Sequence, residues 1–169
     1  RKNNVIAVVA FYPNFTFGIS DKINEISEIC YKLNLPLHVD ATYGGFISAY
    51  KRNISLTNTG LNQKFDFSLK GVTSLTSDLS KYAMAPIGIS FLAYRSRQIR
   101  KHQYYIYPKF QGGIYATPGL SGSKVATFVL TSYMNFVYFG HAKYESYSAN
   151  ITKTVEELCK SIKSNFSND

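Results

Sequence analysis

A chain of 169 residues, 45% of them apolar and 17% charged, is long enough for one buried core and reads as a globular segment rather than a disordered tract. No stretch is long and apolar enough to cross a bilayer and the first residues form no signal peptide, so the segment reads as soluble. The net charge of +9 admits nucleic acid, an anionic membrane face or a phosphorylated substrate as partners. Its densest cluster is Arg95, Arg97, Arg100, Lys101 and His102, followed by Tyr104, Tyr105 and Tyr107. Because no nucleic-acid motif accompanies these residues, they are read as solvated surface and nucleic acid is not expected as a partner.

In chain order, Val5 to Ala10 is a short apolar run suited to a buried strand. Ser20-Asp21 offers an N-cap to a helix with Ile23, Ile26, Ile29, Cys30 and Leu33 on one face, and Pro36 follows that helix closely. Leu35 to Val39 is the next strand, and the order strand, helix, strand implies a right-handed crossover between parallel neighbours. Ligands of such sheets lie beyond the carboxyl ends of the strands, where Asp40 falls. The segment 51–64 is polar and without a period, hence a surface excursion. Val72 to Thr76 and Ile89 to Tyr94 are further strands, bracketing a loop with Lys81. Gly119 to Ser123 reads as a helix start continuing from Val125 to Phe139, and Ile151, Val155, Leu158, Cys159 and Ile162 again have helical spacing. Cys30 and Cys159 are read as two buried thiols, no Cys and His spacing suggests zinc, and the triplets at Asn14, Asn53 and Asn150 are read as chance matches to glycosylation acceptors.

Two short strings carry chemistry: Leu37-His38-Val39-Asp40-Ala41 and Ser77-Asp78-Leu79-Ser80-Lys81-Tyr82. Pyridoxal 5'-phosphate acts as an electron sink only while its ring nitrogen is protonated, and a carboxylate facing that nitrogen keeps it so by charge pairing. Asp40 is the candidate. A lysine amine carries the resting cofactor as a Schiff base, and Lys81, in a loop of small residues, is the candidate for that. An Asp ending a strand is common and a loop lysine is most often a solvated charge, so their order and context carry the weight. His38 points to the same side of its strand as Asp40 and is read either as a hydrogen-bonding neighbour of the cofactor or as a satisfied core group. Gly44 and Gly45 are read as permitting close backbone approach.

The surrounding strings extend the pattern: Pro13-Asn14-Phe15 with Gly18, LPLHVDATYGGF over 35–46, FDFSLKGVTSLTSD over 65–78, SKYAMAPIG over 80–88 and QGGIYATPGLSGSK over 111–124. With these blocks in this order, the chain from Val5 to about Val125 resembles the sphingosine-1-phosphate lyase family, of the group II decarboxylase-like branch of fold-type I pyridoxal phosphate enzymes. The resemblance implies an α/β fold, part of the large domain of a fold-type I enzyme, with a mainly parallel sheet flanked by helices. It places residues 1–125 in the cofactor-binding large domain and residues 126–169 in a helical continuation towards a small domain. It also implies that the chain is a central fragment, because the family's Gly-Thr-Glu-Ser phosphate-binding loop precedes this segment, and that the fragment alone binds cofactor poorly.

The implied activity is cleavage of a sphingoid base phosphate to a long-chain aldehyde and ethanolamine phosphate. Lys81 is the implied catalytic residue, and His38, Asp40, Ala41, Ser80, Lys81 and Ser123 are implied contacts of the cofactor: Ala41 packs on its ring, Ser80 donates to its phosphate and Ser123 serves the site of a partner subunit. The resemblance further implies a homodimer and, for a eukaryotic parent, an endoplasmic reticulum membrane location through an anchor outside this segment. The chain departs from the family pattern at three positions: Ser80 replaces a His before the lysine, Ile87 replaces a second lysine after Ala85-Pro86, and Met84 stands where Tyr is frequent. These departures keep open an amino acid decarboxylase and a catalytically impaired interaction module, while retention of Asp40 and Lys81 favours the lyase.

Overall fold

The computed structural model describes residues 4–50 and 63–166. The excursion expected over 51–64 falls almost wholly outside them, as does the Asn53 triplet. Four strands form one sheet in the order β1 (Val8–Phe11), β2 (Leu37–Asp40), β3 (Val72–Asp78) and β4 (Ser90–Tyr94). The first three run parallel, with Val8 opposite Leu37 and His38 opposite Ser74. β4 is antiparallel to β3, Ser74 pairing with Tyr94 and Asp78 with Ser90. The link between them holds only the one-turn helix α3 (Leu79–Tyr82) and a turn, too short for the crossover that a parallel neighbour requires. The sheet is therefore mixed, with its parallel part at β1 to β3.

Helix α1 (Ile23–Leu33) packs on the sheet through Ile23, Ser27 and Cys30, all buried, with Ile26 partly covered. Ile29 and Leu33, expected on the same face, are 55% and 37% exposed. The cause is a close approach at the start of β3, where Ser27 Oγ accepts the Gly71 amide at 3.0 Å. A Cβ on Gly71 would stand 2.1 Å from the Ser27 carbonyl oxygen. That contact fixes the rotation of α1 about its axis and turns Ile29 and Leu33 to the flank. The expected cap also differs. Asp21 Oδ2 accepts the Phe11 amide at 2.8 Å, and the first amide of α1, that of Ile23, donates to Gln63 Oε1 at 2.8 Å. The Ile23 amide thus has two acceptors, the Asp21 carbonyl of its own flank at 2.9 Å and the Gln63 side chain from a residue distant in sequence.

The core lies between α1 and the sheet and comprises Ala10, Tyr12, Ile23, Cys30, Leu37, Val39, Ala41, Val72 and Leu75. Arg95, read above as part of a solvated cluster, donates Nε to the Val72 carbonyl at 2.6 Å and Nη2 to the carbonyls of Phe67, at 3.0 Å, and Leu69. It straps the end of β4 to the approach of β3. Arg100 donates to the Tyr104 hydroxyl at 2.9 Å at the surface. Between them lies α4 (Arg97–Arg100), and beyond it a small antiparallel hairpin, β5 (Tyr105–Tyr107) and β6 (Tyr115–Thr117), which the sequence reading did not anticipate.

Gly119 to Ser123 is turn and bend rather than helix, with Gly122 at a φ of 67° that a helix start does not use. Helix α5 (Ala126–Phe166) begins after it and is broken at Gly140, where φ is 62° and ψ 174°. The break separates the two helical stretches expected from periodicity. On one side Asn135 Nδ2 donates to the Met84 carbonyl, and on the other the Tyr144 hydroxyl donates to the Ala83 carbonyl at 3.0 Å. Ser148 Oγ donates to the Ile47 carbonyl of α2 (Gly45–Ala49) at 2.9 Å, and Phe46 meets Tyr144 edge-on with centroids 5.0 Å apart. Cys159, expected to be buried, is exposed, because no described element covers that turn of α5. Among the described residues no helix is long and apolar enough to cross a membrane.

The Gly71 contact yields a stability test. Gly71→Ala forces a methyl against the Ser27 backbone and is expected to cost about 1–3 kcal/mol. Gly119→Ala, where a methyl would meet nothing within 4 Å, is expected to be near neutral. Thermal unfolding of the two variants should separate them, and equal midpoints would show that α1 does not seat on Gly71.

Candidate active site

Strand alternation divides β2 into two faces. Leu37 and Val39 enter the core, while His38 and Asp40 share the opposite face. The polar alternation of β3 lies beside them in register, Ser74 opposite His38 and Thr76 opposite Asp40. His38 bridges the two strands, with Nδ1 2.8 Å from Ser74 Oγ and Nε2 3.2 Å from Thr76 Oγ1. A hydroxyl donates or accepts as needed, so the pair suits a neutral imidazole with one donor and one acceptor nitrogen. Burial pushes the His38 pKa below the ordinary imidazole value of 6.5, and the nearby charge of Asp40 opposes that shift in part.

Asp40 is the last residue of β2 and sits half-buried. Its Oδ1 accepts the Thr42 amide at 3.0 Å and the Thr42 hydroxyl at 2.5 Å. No hydrogen bond among the described residues reaches its Oδ2. The Thr42 carbonyl in turn accepts the Asp78 amide at 3.3 Å, joining the turn after β2 to the end of β3. Asp78 caps α3: its Oδ1 accepts both the amide and the hydroxyl of Ser80, each at 3.0 Å. Its Oδ2 stands 3.9 Å from Lys81 Nζ. The Lys81 ammonium also lies 5.3 Å from the centre of the Tyr43 ring, which stacks on Phe15. Its side chain is 38% exposed, so the amine is reachable.

Asp40 thus ends β2 and Lys81 follows the end of the neighbouring parallel strand β3, with His38 two residues before Asp40 on the same face. Ser80 is beside them, with its hydroxyl engaged by Asp78. Ala41 is fully buried in the core, and its Cβ would stand 2.8 Å from a methyl placed on Gly45. Ser123 is exposed in the bend before α5 and takes no part in this network among the described residues. Gly44 permits the approach of the Pro13 ring, whose Cδ would lie 2.6 Å from an added Cβ. The sequence reading assigned no role to Thr42, Ser74, Thr76 or Asp78. The Asp-Leu-Ser string before Lys81 is a recognisable capping signal, whereas the pairing of Ser74 and Thr76 with His38 depends on strand register.

The donor set fits pyridoxal phosphate at its ring: a carboxylate oxygen with no hydrogen bond among the described residues at the end of β2, an accessible lysine amine after the end of β3, and an imidazole between two hydroxyls beside the carboxylate. A cavity of about 760 Å³ lies behind β3, lined by Phe46, Leu75, Ser77, Phe91, Phe136 and His141, and does not include Asp40 or Lys81.

Residues 1–167 match the pyridoxal-dependent decarboxylase conserved domain, and the chain belongs to that family of pyridoxal phosphate proteins. It is 36% identical over 162 residues to the sphingosine-1-phosphate lyase of Saccharomyces cerevisiae, covering 96% of this chain and 27% of the yeast protein. It is 34% identical over 155 residues to sphingosine-1-phosphate lyase 1 of Rattus norvegicus, covering 92% of this chain and 27% of that protein. The chain thus spans about a quarter of the length of these relatives. Among solved structures, the sphingosine-1-phosphate lyase of Burkholderia pseudomallei superposes with a TM-score of 0.87 at 28% identity, over 96% of this chain and 37% of that one. Glutamate decarboxylase of Lactobacillus brevis, with a TM-score of 0.73 at 22% identity over 94% of this chain and 35% of that one, shares the fold.

The lowered His38 pKa sets a pH dependence. Between that value and 6.5 the unfolded chain binds the proton and the folded one does not, so stability rises with pH through this window and falls on acidification. His38→Gln removes the titrating group. Denaturant unfolding of the full-length parent between about pH 7 and 5 is expected to show a smaller loss in the variant, and an unchanged slope would place the acid sensitivity elsewhere.

Proposed function

We propose that the protein containing this chain is a pyridoxal 5'-phosphate-dependent lyase that cleaves a sphingoid base phosphate to a long-chain aldehyde and ethanolamine phosphate. The observation that carries this reading is the union of Asp40 and Lys81 at the ends of adjacent strands, tied together through Thr42 and Asp78. The similarity to sphingosine-1-phosphate lyases over nearly the whole segment supports the substrate class. When bound, the cofactor supplies an electron sink for the pair released as a carbon–carbon bond beside the substrate amine breaks.

The roles of this chain's residues follow from their positions. Lys81 would hold the cofactor through its side-chain amine, with Tyr43 covering one side of its ammonium. Asp40 keeps a proton on the ring nitrogen through its unengaged oxygen. His38 is held between Ser74 and Thr76 as a neutral group beside Asp40, where it adds no positive charge to compete for that carboxylate. Ser80 and Ser123 are the candidates for phosphate contacts, Ser123 towards the site of a second subunit, and Ala41 for packing beneath the ring. Residues 1–125 form the cofactor-binding unit in this reading and 126–169 its helical continuation. In this reading the parent is a homodimer and, if eukaryotic, is attached to the endoplasmic reticulum membrane through an anchor outside the segment.

Amino acid decarboxylation is the second reading, favoured by Ile87, which is 86% exposed and places no cation after Ala85-Pro86 for a substrate phosphate. The full-length parent decides between them: aldehyde release from a sphingoid base phosphate supports the lyase, and carbon dioxide release from amino acids alone overturns it.

Two predictions test the assigned residues. Borohydride reduction of the cofactor-loaded parent followed by peptide mapping is expected to find the pyridoxyl group on Lys81, and label on another lysine would refute its role. Asp40→Asn preserves shape and removes the charge, so turnover is expected to fall at least about a hundredfold with cofactor still bound. Unchanged turnover would remove Asp40 from the site.

A further inference from the structure

We infer that Thr42 is a positioning residue that orients the Asp40 carboxylate, occupying Oδ1 so that Oδ2 faces the cofactor ring; the inference rests on the reading of Asp40 given above. A carboxylate at the end of a strand turns about two side-chain bonds, and a charge pair with a planar ring needs one orientation. Thr42 supplies two donors to the same oxygen, its amide at 3.0 Å and its hydroxyl at 2.5 Å, which fixes the plane of the group. Acceptance of the amide alone forms a local turn that leaves the carboxylate free to swing about that bond. The hydroxyl removes this freedom.

The hydroxyl is separable from the support of the backbone. The turn after β2 is held by the Ala41 amide on the Thr76 carbonyl at 2.9 Å, the Gly45 amide on the Ala41 carbonyl at 2.8 Å and the Asp78 amide on the Thr42 carbonyl at 3.3 Å. None of these uses the Thr42 side chain. Among the described residues the hydroxyl's hydrogen-bond partner is Asp40. Its removal therefore frees the carboxylate while the turn stays closed.

The test uses the full-length parent with Thr42→Val, which keeps the branched shape, and Thr42→Ser, which keeps the hydroxyl. The readouts are the dissociation constant for pyridoxal phosphate and the pH at which the visible band of the bound cofactor titrates. Thr42→Val is expected to weaken cofactor binding about tenfold and to move that pH, as loss of a hydrogen bond to a charged group does, while Thr42→Ser stays near the parent. In an Asp40→Asn background Thr42→Val is expected to add no further loss. If Asp40→Asn alters binding and the band while Thr42→Val alters neither, the inference on Thr42 fails and the reading of Asp40 stands. If Asp40→Asn itself alters neither, both fail. If Thr42→Val and Thr42→Ala lose the folded circular dichroism that Thr42→Ser retains, the hydroxyl is a structural group and the positioning role is overturned.

Discussion

The hydrogen bond from the Asp78 amide to the Thr42 carbonyl is the contact on which the candidate site depends. Each strand alone would place its candidate group independently, Asp40 as the last residue of β2 and Lys81 in the short helix after β3. Parallel pairing brings the strand ends side by side, and this bond, with the Ala41 amide on the Thr76 carbonyl, carries the pairing past the end of β2. Each partner then holds a functional group by its side chain, Thr42 through the Asp40 carboxylate and Asp78 through the cap of the lysine helix. Shifting β3 by one residue would exchange the faces of Ser74, Thr76 and Asp78 and dissolve the arrangement. Register thus decides whether the candidate site forms, and it is secured from the other face, where Gly71 seats against Ser27 and Val72, Leu75 and Val39 fill the core.

The sequence made legible what depends on local pattern. Apolar runs marked β1 to β4, though Val5 and Ile6 proved exposed, because the strand starts only where Val8 finds Leu37. The strings around Asp40 and Lys81 stood out because a ring nitrogen and an aldehyde call for those residue types, and the structure places the two at the ends of neighbouring strands. What could not be read depends on contacts between distant residues. Gln63 capping α1, Arg95 binding three carbonyls and His38 lying between two hydroxyls of the next strand each require knowledge of which segments meet. The hairpin of β5 and β6 was hidden differently: Tyr105-Ile106-Tyr107 is a good strand by propensity, but the preceding basic residues drew it into a surface reading.

The face holding His38 and Asp40 and the cavity behind β3 lie on opposite sides of one strand, since Leu75 and Ser77 point away from Ser74 and Thr76. Charge, hydrogen bonding and strand ends direct attention to the side of His38 and Asp40, where a small number of polar groups converge.

The break at Gly140 has a geometric consequence for the lysine turn. Asn135 and Tyr144 hold the neighbouring carbonyls of Met84 and Ala83. In a straight helix residues nine apart are separated by about 13.5 Å along the axis and point in roughly opposite directions, whereas adjacent carbonyls lie within about 4 Å of each other. No unbroken rod presents both side chains to the same spot. By kinking at one glycine, α5 brings two of its own faces onto two consecutive peptide groups, and so grips the exit of the turn that carries Lys81 as a pair of tweezers grips a thread.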